Sequence, residues 1–199
     1  MATNKKLKFK VDLVKNITLD WTGLTRISDL TYHDRNESGV YVWGFTVDNV
    51  FIPYYVGIAD NIIFRIHKHI NSIISGRYTI FHRNSLAIFK DFKDQAVQAD
   101  KTKGKIYIPD WPYGFKNFLD NGNELQSHID FMVDTFTFSY AVVDRERVSG
   151  QELKDIEKIC INQIGKENLA NTRAGHSDKF IINHIGNLTM TEKIKATNR

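Results

Sequence analysis

Two runs dense in β-branched and aromatic residues, 39–47 (GVYVWGFTV) and 51–58 (FIPYYVGI), flank a turn that holds Asp48 and Asn49. Strands this close in sequence pair as an antiparallel hairpin with a short turn. Pro53 has no N–H for a ladder, which places it on an open edge or at a bulge. The hairpin commits the chain to a sheet, and the rest of the sequence has to supply what covers it.

The next segment does so. Asp60 offers an N-cap, and 61–75 reads as a helix that Gly76 stops. Ile62, Ile63, Ile66, Ile70, Ile73 and Ile74 fall within a ~120° arc, the expected core face. Arg65, Lys68, His69 and Ser72 fall on a separate ~100° arc. Residues 134–143 alternate polar and apolar and then run apolar, as in a third strand. Residues 150–164 repeat the helical pattern, with Leu153, Ile156, Ile159, Cys160 and Ile164 as the buried stripe and Ser149 to Glu152 spaced as a capping box. Between 84 and 131 the pattern loosens, with helical stretches around 86–99 and 115–132. The loop between them carries Tyr107, Trp111 and Tyr113, and the tail beyond Thr189 is polar.

The expected fold is α/β of the α+β kind: a small three-stranded antiparallel sheet flanked by helices. An N-terminal arm precedes it, and a helical or loop insertion precedes the third strand. The 199 residues read as one domain: an extension over 1–38, the hairpin and first helix over 39–83, the insertion over 84–131, the third strand and second helix over 132–175, and a tail over 176–199. Cys160 is the sole cysteine, which excludes a disulfide framework and a Cys-pair metal site within the chain. No apolar stretch is long enough for a membrane helix and no apolar segment follows the basic N-terminus, so the sequence predicts a cytoplasmic protein without a membrane partner.

Net charge is +4, and its distribution matters more than its size. Over 61–83, Arg65, Lys68, Arg77 and Arg83 face no acidic residue, and His67, His69 and His82 lie among them. The hairpin puts Tyr41 and Tyr55 on adjacent strands, and the helix presents Arg65 and His69 one turn apart, on the side away from the core. A basic helix face beside two phenols suits a phosphate: guanidinium gives a planar donor fork, and a phenol orients or activates water. Taken singly, the same residues read as packing tyrosines and solvated cations.

In order, however, Gly39-Val40-Tyr41, then Tyr55-Val56-Gly57, then Asn61, Arg65 and His69 resemble the signature of the GIY-YIG nuclease superfamily. The asparagine, arginine and histidine stand four, eight and twelve residues after Gly57. The resemblance covers 39–75 closely and 134–171 less closely. It implies a metal-dependent endonuclease that hydrolyses phosphodiester bonds in DNA with Mg²⁺ or Mn²⁺. Tyr41 would be the general base or water-orienting phenol, with Tyr55 and His69 in support and Arg65 on the phosphate. Gly57, Lys68 and an asparagine after the second helix would meet the substrate. The metal would sit on a helical glutamate. Glu157-Lys158-Ile159-Cys160-Ile161 fits the family form better than the run from Glu152, which has a capping role, but both glutamates stand as candidates. Asn171 is preferred over Asn168 for the later position. The compact layout resembles the restriction branch, a type II restriction endonuclease acting as a homodimer on DNA. The alternatives are a phage or mobile-element nuclease and an inactive nucleic-acid-binding module.

Overall fold

The hairpin forms where the sequence puts it. Strands β3 (Gly39–Val47) and β4 (Val50–Ala59) pair antiparallel, and Asp48 and Asn49 turn the chain with φ of 48° and 62°. Positive φ at both central residues gives the turn the twist of its flanking strands, and short polar side chains tolerate it. Register slips between Trp43 and Gly44, where Tyr54 is the extra residue on β4. Pro53 therefore sits beside a bulge and on an edge strand, and no ladder bond is lost to it. The computed structural model describes residues 15–30, 37–84, 105–107, 109, 114–165, 169–171 and 180–186.

The sheet is larger than the three strands expected. Its order is β4, β3, β7 (Phe136–Val142), β1 (Lys15–Trp21) and β8 (Phe180–Gly186), with the short β2 (Thr25–Arg26) also paired to β7. The extra strands come from the arm and the tail. Ile17, Leu19 and Trp21 alternate along β1 and pair in parallel with Ile182, His184 and Gly186. This is a period-two signal that the reading of 1–38 as an extension passed over. A two-stranded ribbon, β5 (Ile80–Phe81) with β6 (Lys105–Tyr107), lies beside this sheet. The third strand starts at Phe136 because the preceding helix continues through Thr135.

Both faces of the sheet are covered. On one, Tyr41, Trp43, Phe45, Phe136 and Phe138 pack against α1 (Ile62–Ile74) and α3 (Gly122–Thr135). The helix α2 (Gly114–Asp120) precedes α3, so the helical stretch read over 115–132 breaks at Asn121. On the other face, Val40, Val42, Val56, Leu19 and Ala141 pack against Leu153, Ile156, Cys160 and Ile161 of α4 (Gly150–Ile164). The expected helix around 86–99, Trp111, Tyr113, Asn168 and the tail beyond Thr189 lie outside the described residues. Tyr107 does pack, buried against Phe118 with ring centroids 5.4 Å apart.

One helix start differs from expectation and one matches it. Asn61, not Asp60, caps α1, its side chain accepting from Phe64 N–H at 2.9 Å, while Asp60 pairs with Arg145. The capping box of α4 is complete: Ser149 accepts from the Glu152 N–H, and the Glu152 carboxylate accepts from the Ser149 N–H at 2.8 Å. Lys15 adds an ion pair to that carboxylate. Ser149→Ala removes the cap acceptor and is expected to lower stability by about 1 kcal/mol. For a chain of this size that is a fall in Tm of about 2–4 °C. An unchanged melting curve would show that the cap contributes nothing.

Candidate active site

On the face of β3 and β4 turned to α1, the pairs from Gly39 and Ala59 to Trp43 and Tyr55 are all aromatic or small, and this arranges the site. Tyr41 stands opposite Gly57, and Trp43 opposite Tyr55. A Cβ at Gly57 would lie 2.4 Å from the Tyr41 phenol oxygen and 2.7 Å from Tyr55 Cε1. Gly57, expected to meet substrate, is thus the gap into which the two phenols fold. Their ring centroids are 6.3 Å apart.

His69 departs from expectation. The sequence reading put it on the solvent arc of α1 with Arg65, but its side chain is 1% exposed. At ~100° per residue it lies only about 20° from Ile62, so a small rotation of the buried face draws it in. The same rotation leaves Ile74 exposed. A polar ring is tolerated there because both nitrogens are bonded: Nε2 to the Tyr41 hydroxyl at 2.8 Å, and Nδ1 to the Tyr78 hydroxyl at 2.8 Å. Burial, helped by the Arg65 charge, lowers its pKa from 6.5 to about 3, so the ring is neutral.

Arg65 lies one turn earlier, on the exposed side, and its Nε–H donates to the Tyr41 oxygen at 3.4 Å. Burial pushes the Tyr41 phenol above its ordinary value, against the pull of the Arg65 bond and charge. Tyr55 is raised by burial and then by the Glu157 charge. Glu157 comes from α4, on the other face of the sheet. The two helices approach one edge because β4 is the edge strand and both pack on it. The buried face of α4 is turned toward Ile161 relative to the expected stripe, and Glu157 lies between Cys160 and Ile161 on the helix wheel. Desolvation raises the Glu157 carboxyl, while Lys158, Arg65 and Lys154 pull it down. Glu152 is remote from the phenols in role, held by Ser149 and Lys15. Cys160, fully buried beneath Glu157, has its thiol pushed up to about 12 by burial and is inert.

The remaining candidates take structural places. Asn171 accepts from the Val56 N–H at 3.0 Å and donates to the Val56 carbonyl at 2.8 Å, and Ala170 N–H donates to the Tyr54 carbonyl. Together they close the open edge of β4 under the phenols. Lys68 Nζ lies 4.5 Å over the Phe64 ring, exposed beside Arg65. His82 packs on His128, ring centroids 4.6 Å apart. Sequence reasoning missed Tyr78 and Trp43. Trp43 contacts the rings of His69, Tyr54 and Phe136 within 5.3 Å and forms the floor of the site. Tyr78 follows the Gly76 stop, where no periodicity points to a face.

Among the described residues, no three His, Cys, Asp or Glu side chains converge as a metal cluster. A single half-buried carboxylate does fit Mg²⁺, which keeps several waters and binds through one or two carboxylates plus substrate phosphates. No family model matches the chain, and neither the curated proteins nor the solved structures provide a match. No helix among the described residues is long and apolar enough to cross a membrane.

The neutral His69 carries a pH signature. Unfolded chain takes up its proton near pH 6.5, folded chain only near pH 3. Across that window the unfolded state binds more protons, so the stability due to this ring is complete above 6.5 and is lost as pH falls. The expected slope is up to about 1.4 kcal/mol per pH unit for the one proton. Urea denaturation from pH 7 to pH 4 checks this: His69→Gln should flatten the acid slope relative to wild type, and equal slopes would contradict a buried neutral ring.

Proposed function

We propose that this protein is a metal-dependent endonuclease of the GIY-YIG kind, hydrolysing phosphodiester bonds in DNA. The observation that carries the reading is that Arg65, bonded to Tyr41, and Glu157, from helices on opposite faces of the sheet, are electrostatically coupled to each other and to the Tyr41 and Tyr55 phenols. Nothing in the packing of two amphipathic helices demands that a cation, a carboxylate and two phenols share one edge. Phosphodiester hydrolysis does: it requires charge stabilisation at phosphorus, an activated water and a stabilised leaving oxygen.

The residues divide the work by depth. Arg65 is exposed and stays cationic, reinforced by its bond to Tyr41, and it pairs with the non-bridging oxygens of the scissile phosphate. That pairing takes its N–H from the Tyr41 oxygen and opens the oxygen to a water. Tyr41, bonded behind to His69, orients the water and passes a proton inward. Tyr55 is the more open phenol and faces the same space. Glu157 would hold the divalent ion, which supplies Lewis-acid stabilisation to the phosphate and the leaving oxygen when bound. Lys68 adds positive charge on the approach side. Asn171 and Gly57 position rather than touch, through the β4 edge and the phenol gap. A double-strand cut would take two such chains, as in a homodimeric restriction endonuclease.

Glu157→Gln and Arg65→Ala should each abolish cleavage of plasmid DNA in Mg²⁺ or Mn²⁺, with a loss of at least about 100-fold, as for other groups that stabilise transition-state charge. Both variants should keep the wild-type fold by circular dichroism. Glu152→Gln should cleave at the wild-type rate. An active Glu157→Gln together with an inactive Glu152→Gln would place the metal on the wrong glutamate here.

A further inference from the structure

We propose that Tyr78 is a positioning residue that fixes His69 as the Nδ1–H tautomer, leaving Nε2 bare to take the Tyr41 proton; the use of that proton in cleavage rests on the nuclease reading above. Start with the group whose role is certain. Arg65 Nε–H is a donor only, and it points at the Tyr41 oxygen. Tyr41 is 1% exposed, so its own hydrogen has no access to bulk water. Among the described residues the acceptor in reach is His69 Nε2 at 2.8 Å. Were Nε2 the protonated nitrogen, the Tyr41 oxygen would receive two donors and its hydrogen would be buried without an acceptor. Leaving a buried donor unmade is worse than forgoing a bond in solvent.

The proton of the neutral ring must then sit on Nδ1, where the Tyr78 oxygen receives it at 2.8 Å. Tyr78 can accept because it is half-buried and can place its own hydrogen elsewhere. Ser72 is in hydrogen-bond reach of it, and with the Ser72 hydroxyl hydrogen directed to the Lys68 carbonyl at 2.8 Å its oxygen is the acceptor for the Tyr78 hydrogen.

Tyr78 is held by the end of α1. Gly76 takes φ of 66°, and both Arg77 N–H and Tyr78 N–H donate to the Ser72 carbonyl, at 2.8 and 3.1 Å. The phenol ring then lies parallel to Trp43, interplanar angle 1°. Other titratable or charged groups coupled to His69 and its partners are Arg65, Tyr54, Tyr55 and Glu157.

The proton path balances. An attacking water gives one proton to the Tyr41 oxygen as the Tyr41 hydrogen moves to Nε2, and the resulting hydroxide forms its bond to phosphorus as the ester oxygen leaves. The ring is imidazolium only transiently, still donating from Nδ1 to Tyr78: the burial and Arg65 charge that hold its pKa at about 3 return the proton through Tyr41 to solvent once the ester oxygen has left. With the other tautomer Nε2 already carries a hydrogen, and this transfer is closed.

The test is the two-bond ¹⁵N–¹H correlation spectrum of the DNA-free, metal-free protein at pH 7, with the His69 signals identified by their loss in His69→Gln. We expect Nδ1 protonated and Nε2 bare in wild type. Tyr78→Phe keeps the ring over Trp43 and removes the acceptor; each tautomer then leaves one buried donor unmade, Nδ1–H or the Tyr41 hydrogen, so the Nε2–H form should rise from absent to a populated fraction. An Nε2–H ring in wild type, or a spectrum unchanged by Tyr78→Phe, overturns the proposal. In single-turnover cleavage Tyr78→Phe should be slower by about 10-fold or more with unchanged DNA affinity. A wild-type rate in a variant whose tautomer has reversed would overturn the catalytic use. The spectra require no cleavage, so a wild-type protein that cuts nothing refutes the nuclease reading and leaves the tautomer result standing.

Discussion

A phenol and an imidazole share a 2.8 Å hydrogen bond between the sheet and α1, and much of the surrounding structure follows from keeping that pair buried. Polar groups removed from water must be bonded, or they destabilise the fold. Tyr41 can lie flat only because Gly57 opposite has no side chain. His69 can be buried only because Tyr78 and Tyr41 bond its two nitrogens. Trp43 packs on the imidazole and is itself backed by Tyr54 and Phe136.

This burial separates the site into an inner and an outer tier. The inner tier, Tyr41, His69 and Tyr78, is neutral: burial raises both phenols and lowers the imidazole. The outer tier is the Arg65 guanidinium and the Glu157 carboxyl, on which desolvation pushes up and Lys158, Arg65 and Lys154 pull down, and it reaches the β4 edge from opposite faces. Arg65 joins the two, as a donor to Tyr41 inside and a cation toward solvent. A phosphate that engages Arg65 therefore acts on the phenol behind it. A bulge at Tyr54 and the amide of Asn171 hold the edge strand in the register that this requires.

The sequence carries the hairpin, both flanking helices and the α4 cap, because each rests on local chemistry: a turn that needs positive φ, a serine three residues before a glutamate, apolar residues at helical spacing. It carries the candidate set Tyr41, Tyr55, Arg65 and Glu157 for the same reason, since all lie in those elements. It understates the sheet, because β1 and β8 pair over more than 160 residues of chain and no local signal tells which strand accepts a partner. A helix wheel ranks faces by polarity and so sends His69 to solvent, and its two buried partners invert that ranking. Tyr78 was invisible, because its place depends on where α1 ends and not on any period.

The central claim is that these side chains form one site for cutting phosphodiester bonds with a divalent ion. The most direct measurement is conversion of supercoiled plasmid by the purified wild-type protein, with Mg²⁺ or Mn²⁺ and with excess EDTA. The account predicts nicked or linear DNA with either metal and intact plasmid in EDTA. Intact plasmid under all conditions, or undiminished cleavage in EDTA, would contradict it.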